Sequence, residues 1–384
     1  MLDKFNLKQW LPVICLSFSA FVFNTTEFVP IALLTDIARD LHITEAQTGT
    51  LITGYAWYVA IFSLPLMLFC AKFERRKLLF VLFVLFTVSH LLSAVADSFA
   101  LLLASRLGIA TAHSVFWSIT VPLSVRLAPV GESAKALGFI ATGSSLAMVL
   151  GLPIGRTVGL LFGWRVTFLV IAAAALLCLF FLLKNLPVLP SKDSGSLKSL
   201  PIIFKRKALV NLYFLTATLV TAHFIAYTYI EPFLLQISGF SEKLATLALL
   251  VYGLAGIGGS ILYAKSNEAG FCRNIFAPVL GIIISLFLLR NSPFYLYPLF
   301  LVAFWGACIM LFSLNGHERV IRFASDATDV AMSLYSGIFN IGIGAGALVG
   351  GLFVTQMGLS VIGFYGALLA VPTLIFCYFI QKNA

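Results

Sequence analysis

Residues 165–183 read RVTFLVIAAAALLCLFFLL, and residues 184–207, which follow directly, read KNLPVLPSKDSGSLKSLPIIFKRK. After Arg165 the first stretch runs 18 residues without a charge or a proline. A hydrocarbon core ~30 Å thick is crossed by about 20 apolar residues at ~1.5 Å per residue, so this stretch reads as a transmembrane helix. The second stretch holds three prolines and six Lys or Arg among serines, the composition of a linker rather than a domain. Working outward, further apolar runs precede the pair at roughly 10–34, 48–71, 77–96, 99–127 and 135–160. Six more follow at roughly 208–236, 244–264, 274–290, 294–316, 328–354 and 359–380. The expected fold is an all-α membrane protein with twelve transmembrane helices in two pseudo-symmetric six-helix bundles. Residues 1–183 and 208–384 form the bundles, and 184–207 is the cytoplasmic linker.

Composition agrees with that reading. Of 384 residues, 60% are hydrophobic and only 10% are charged, against about 25% charged in soluble domains. So few charges cannot cover a water-soluble surface. A soluble enzyme is excluded, and the net charge of +10 is no sign of a nucleic-acid partner. The six cysteines (15, 70, 178, 272, 308 and 377) are scattered through apolar runs without CxxC or metal-site spacing, and read as small hydrophobes.

Positive charge gives the orientation. With the N-terminus inside, nineteen Lys and Arg fall in cytoplasmic segments and four (Arg39, Arg165, Lys243, Arg290) fall outside. Both termini are therefore expected in the cytoplasm. Lys4 and Lys8 before an apolar run imitate a signal peptide. That run, however, continues to Leu34, carries Asn24 and Glu27, and lacks an A-x-A site, so it reads as a retained first helix. The sequon Asn24-Thr25-Thr26 lies inside it and reads as fortuitous.

The halves echo each other. The first helix carries Glu27 before Pro30, and the seventh carries Glu231 before Pro232. The fifth and eleventh runs are both glycine-rich, which suits close backbone approach. Parallel repeats of this kind place a transporter's substrate site between the bundles, where Gly/Pro-interrupted helices meet.

An ionisable side chain within the bilayer costs from ~3 to over 10 kcal/mol, so each needs a reason. Glu27 follows Asn24 by one turn, and Pro30 removes the helical donor for the Thr26 carbonyl. Glu27 is a candidate proton carrier or hydroxyl acceptor; the competing reading is a structural carboxylate paired to a neighbouring helix. Arg106, Ala110, His113 and Trp117 share one face of the fourth helix. There His113 suits proton coupling, Arg106 tunes it without shuttling protons, and Trp117 offers a ring to stack on substrate. A core histidine bonded to a carbonyl is the plainer alternative for His113. On the seventh helix His223, Tyr227 and Glu231 make a polar stripe at spacings of four, expected to line a substrate cavity or else an inter-helix network. Asn340, mid-way along the eleventh helix, is a further candidate donor to substrate. His90 reads as structural. No HExxH, GxSxG or metal-ligand spacing is present, so no enzyme activity, cofactor or metal is expected.

These residues carry a resemblance. The twelve-helix plan resembles the major facilitator superfamily, and the motifs resemble its drug:proton antiporter branch. The loop MLFCAKFERRKLL (67–79) matches the superfamily's basic motif at Arg75 and Arg76, but Met67, Ala71 and Glu74 stand where Gly, Asp and Gly are usual. The resemblance implies a cytoplasmic gate at Arg75 and Arg76, with Glu74 or Asp329 as an alternative inner latch. Arg106 matches the branch's arginine motif, and Gly151 and Gly155 match the antiporter motif with its proline displaced to Pro153. The segments FNTTEFVP (23–30), ERRKLL (74–79), AMVLGLPIGR (147–156), YIEPF (229–233) and SGIFNIGIGAGALVG (336–350) are similar to bacterial sugar efflux transporters of the SotB type. That similarity implies proton-driven export of arabinose-like sugars, lactose and thiogalactosides across a bacterial inner membrane; a monomer is the expected working form. The alternative is a multidrug/proton antiporter on the same fold.

Overall fold

The computed structural model describes residues 7–70, 72–190, 200–265, 274–289, 296–326 and 328–383. The described residues form helices and no strands. In chain order the helices are α1 Leu7–Ala32, α2 Glu45–Cys70, α3 Arg75–Ala94, α4 Phe99–Leu127, α5 Lys135–Phe162 and α6 Trp164–Asn185. They continue with α7 Lys207–Tyr227, α8 Glu242–Lys265, α9 Phe276–Leu288, α10 Tyr297–Phe323, α11 Thr328–Met357 and α12 Leu359–Lys382. Eleven are long and apolar enough to cross a membrane, and α9 is a shorter apolar helix. The twelve-helix expectation matches this architecture.

Helix ends follow local chemistry. Glu74 caps α3, accepting from the amides of Arg76 at 2.9 Å and Lys77 at 2.8 Å. The first run was expected to reach Leu34 unbroken. Instead α1 stops at Ala32, and after Leu33 a short helix, Leu34–Asp40, leads toward α2. The seventh run was expected to be continuous to 236, but α7 ends at Tyr227 and resumes as Ile230–Pro232 and a wide turn, Phe233–Ile237. Pro232 has no N–H for the Thr228 carbonyl, and its ring crowds that position, so the helix breaks one turn upstream. The stripe from His223 to Glu231 is therefore broken after Tyr227. α5 accommodates Pro153 through a π-helical turn at Ala147–Gly151. α10 runs past the expected end at 316 to Phe323, which brings His317 and Arg319 into the helix.

The chain forms two compact units. One comprises Met1–Val29 and Ile61–Ser194, the other Pro30–Ala60 and Gly195–Ala384. The α1–α2 hairpin (30–60) thus packs with the C-terminal helices. Lipid tails are as apolar as these side chains, so close packing and hydrogen bonds hold such helices together rather than the hydrophobic effect. Glycines supply the close packing in the same way in both units. In the first, Gly143, Gly151 and Gly155 of α5 face Ser17, Thr25 and Val29 of α1, with no room for a Cβ. In the second, Gly342, Gly346 and Gly350 of α11 lie on Val220, Thr221 and Ile225 of α7. The internal echo read from the sequence is thus present in the packing. The core of the first unit is aromatic, with Phe23 stacked on Phe116 at 3.9 Å and on Phe86 at 4.1 Å between ring centroids.

Candidate functional site

In the first unit α1, α3 and α4 converge on a buried polar cluster. The Thr26 carbonyl that Pro30 deprives of a donor is taken up by Arg106, whose Nη1 donates to it at 2.8 Å. The guanidinium's Nη2 donates to the Glu27 carbonyl at 3.3 Å, so one fork bridges two successive carbonyls in the turn before Pro30. Arg106 is fully buried. The Thr26 hydroxyl lies 2.6 Å from His90 Nε2, while His90 Nδ1 lies 2.8 Å from the Phe86 carbonyl. The carbonyl requires the proton on Nδ1, which leaves Nε2 of the neutral ring to accept from Thr26. His90, read as structural, is thus a direct partner of Thr26 on α1.

The carboxylate of Glu27 faces His113, with Oε2 3.8 Å from Nε2 and side-chain exposures of 11% and 6%. That distance allows an ion pair but is longer than a hydrogen bond. Trp117 lies one turn further along α4, its ring centroid 6.2 Å from that of His113. Asn24 and Trp117 are half-buried, and among the described residues their side chains make no hydrogen bond. The structure therefore brings Glu27, Arg106, His113 and Trp117 to one place, and adds Thr26 and His90. A carboxylate and an imidazole at ion-pair distance beside a fixed cation form a group able to take up and release a proton.

The second unit holds an aromatic cluster. The His223 ring stacks on Tyr227 at 5.0 Å, and Tyr227 stacks on Tyr252 of α8 at 4.8 Å. Trp305 of α10 stands edge-on to all three, 5.1 Å from His223 and 5.9 Å from each tyrosine. The buried Trp305 indole N–H and His223 Nδ1 have no hydrogen-bond partner among the described residues. Asn340 donates to the Ser336 carbonyl at 3.1 Å, while its own Oδ1 is buried without a partner. A buried polar atom left unpaired costs about 1–3 kcal/mol, so each of the three gains from a partner supplied by bound ligand or water.

Glu231 has a different setting. It is fully buried and accepts from Thr35, the hydroxyl at 2.7 Å and the amide at 3.2 Å. The Thr35 hydroxyl also lies 3.3 Å from Glu45, which accepts from Gln236. Further from this end, Thr53 donates to the Gly344 carbonyl at 3.0 Å and Trp57 to the Ile341 carbonyl at 3.2 Å. Tyr229, at the break after α7, donates to the Ala347 carbonyl at 2.9 Å. Glu231 is thus the anchor point for the hairpin in its unit, while His223 and Tyr227 belong to the aromatic cluster.

A family model described as Major Facilitator Superfamily matches residues 16–317. The chain belongs to the Major Facilitator Superfamily. Solved structures of transporters share its fold at low identity. One is a bacterial homolog of the human lysosomal transporter Spinster, in an inward-facing and occupied conformation. It has a TM-score of 0.79 and 15% identity, covering 99% of this chain and 98% of that one. Another is the nucleoside transporter NupG, with a TM-score of 0.75 and 14% identity, covering 98% of this chain and 100% of that one. The chain is accordingly a multi-pass membrane protein of a transporter superfamily.

The superfamily's basic loop takes an unusual form here. Arg75 donates from Nη1 to the Cys70 carbonyl at 3.3 Å, and Arg76 from Nη2 to the Leu183 carbonyl at the end of α6. Glu74 accepts from the Leu189 amide at 2.6 Å, the Arg75 amide donates to the Leu189 carbonyl at 2.9 Å, and Arg126 donates to the Pro190 carbonyl at 2.6 Å. Partial burial opposes ionisation of Glu74, but the amides of Arg76, Leu189 and Lys77 outweigh it and hold the carboxyl below its ordinary value. The loop therefore grips the start of the linker. The side chain of Asp329, the other acid expected at an inner latch, lies outside the described residues.

Sequence reasoning passed over Thr35, Tyr252 and Trp305. The two aromatics lie in apolar runs, where nothing separates a site ring from a core ring. The freed Thr26 carbonyl was legible from Pro30, but the link from its hydroxyl to His90 on α3 was not.

Proposed function

We propose that this superfamily member exports small neutral sugars, such as arabinose-like sugars, lactose and thiogalactosides, in exchange for protons across a bacterial inner membrane. The observation that carries the reading is the Glu27–His113 pair at 3.8 Å beside the fully buried Arg106. A protonated pair has one fewer net negative charge to compensate Arg106, so proton occupancy changes the electrostatic balance where α1 meets α4. Periplasmic protonation favours release of sugar outward, and proton loss to the cytoplasm favours sugar binding, in an alternating-access cycle. Asn24, Trp117, His223, Tyr227 and Asn340 are the substrate-binding set, supported by ring surfaces and a few unpaired polar atoms, a mixture that suits neutral polyols better than ions, while Glu231, expected in that set, serves it by anchoring the hairpin through Thr35. Arg75 and Arg76 serve the cytoplasmic gate. The protein works as a monomer with both termini in the cytoplasm. The SotB-like segments support the sugar class and the antiporter branch.

One observation favours a second reading. The His223, Tyr227, Tyr252 and Trp305 cluster is a surface for flat apolar rings, which a multidrug/proton antiporter would use. Proteoliposomes with an imposed pH gradient separate the two. Proton flux coupled to pentoses, disaccharides or thiogalactosides supports sugar export, and flux coupled only to cationic or aromatic drugs overturns it.

A further inference from the structure

A crevice of about 400 Å³ opens at the start of α7, lined by Phe204, Lys207, Val210, Asn211, Phe379 and Lys382. Its two walls are helix edges. Lys207, Val210 and Asn211 share a face of α7 at spacings of three and four, and Phe379 and Lys382 do the same near the end of α12. The lysines have no ion pair or hydrogen bond to their ammonium groups among the described residues. Arg206 beside them is occupied, because Nη1 and Nη2 bind the two Asp326 oxygens at 2.7 and 2.6 Å. α7 begins here without a side-chain cap, so its first amides and the positive end of its dipole add to the field of the lysines. Two aromatic rings of the wall are part-exposed, Phe204 at 56% and Phe379 at 41%, and Ile202, in the nearby short helix Leu200–Ile203, is 54% exposed.

Lysines without an ion pair and part-exposed aromatic rings along one crevice match one amphiphile. We propose that this crevice binds an anionic glycerophospholipid, its phosphate between Lys207 and Lys382 and its acyl chains along Phe204 and Phe379. A free phosphate would use the lysines but leave the rings bare. A zwitterionic lipid would cover the rings but bring its own cation to the lysines. Basic pockets between transmembrane helices near the membrane surface recognise lipid headgroups through this combination. The site is independent of the sugar and proton chemistry.

The test is equilibrium binding of a fluorescent phosphatidylglycerol to the purified full chain in detergent, competed by unlabelled phosphatidylglycerol, phosphatidylcholine or inorganic phosphate. Each basic residue near such a surface contributes about 1 kcal/mol, or roughly fivefold in affinity. K207Q and K382Q should each weaken binding about fivefold and the double variant about 25-fold, while the K207R/K382R variant retains it. The Arg variant, together with unchanged thermal unfolding of the Gln variants, separates lost binding from lost folding. Equal competition by phosphatidylcholine overturns the proposal. Full competition by millimolar phosphate, or wild-type affinity in the double Gln variant, does so as well.

Discussion

Thr35→Val probes the hairpin anchor with the smallest change in shape. Valine keeps the β-branched outline and the Thr35 amide, which stays 3.2 Å from Glu231, but removes the hydroxyl that donates to the carboxylate at 2.7 Å. A hydrogen bond to a charged group contributes about 1.5–3 kcal/mol. At 1.36 kcal/mol per decade that is roughly 12- to 160-fold in the equilibrium between docked and undocked hairpin. Glu231 is fully buried, so the docked state offers no bulk water to replace the lost donor. Hydrogen exchange of the short helix Leu34–Asp40 reads this equilibrium, because exchange through local opening scales with the opening constant. The expected result is exchange faster by 12- to 160-fold across 34–40, with α3 and α4 unaffected. Thr50→Val is the control, since the Thr50 hydroxyl donates only within its own helix, to the Gln47 carbonyl at 2.6 Å. Exchange at 34–40 within twofold of wild type in Thr35→Val would refute the anchoring role of Glu231.

Two further predictions concern the linker grip and helix packing. Glu74→Gln keeps one acceptor but loses the charge that three amides share, so the Leu189 amide should exchange about tenfold faster, measured at neutral pH. Because the folded Glu74 carboxyl is held below its ordinary value, its contribution is present at neutral pH and is lost as pH falls through the folded value. Wild-type Leu189 exchange, corrected for its intrinsic pH dependence, should therefore approach that of the variant in acid; a persistent gap there would contradict this. Gly306 of α10 faces the Tyr252 backbone of α8 with no room for a Cβ. Gly306→Val should destabilise the second unit by about 1–3 kcal/mol through overpacking, seen as a lowered thermal transition of the purified protein, whereas Gly258→Ala, whose Cβ would meet open space, should leave it unchanged.

The fold was legible because bilayer thickness converts apolar length directly into helices, and the glycine echo between α5 and α11 converts into matched packing. Part of the site was legible too. Arg106, His113 and Trp117 lie on one face of an uninterrupted helix, so their spacing alone placed them together. Glu231 was not, since Pro232 broke the periodicity that joined it to His223, and its partner Thr35 is distant in sequence. Trp305 and Tyr252 were hidden for another reason: an aromatic in an apolar run carries no sign of which side chains it will meet. The linker grip was partly hidden because Glu74 binds backbone amides, which the sequence does not mark as partners. The same reasoning explains His90, whose link to Thr26 crosses from α3 to α1.

The central claim is that the Glu27–His113 pair couples protons to sugar export. It is tested most directly by sugar flux in proteoliposomes driven by a pH gradient, comparing wild type with Glu27→Gln and His113→Ala. The account predicts that both variants insert and fold, yet sugar no longer moves against its gradient. Coupled flux at the wild-type rate in both variants would contradict it.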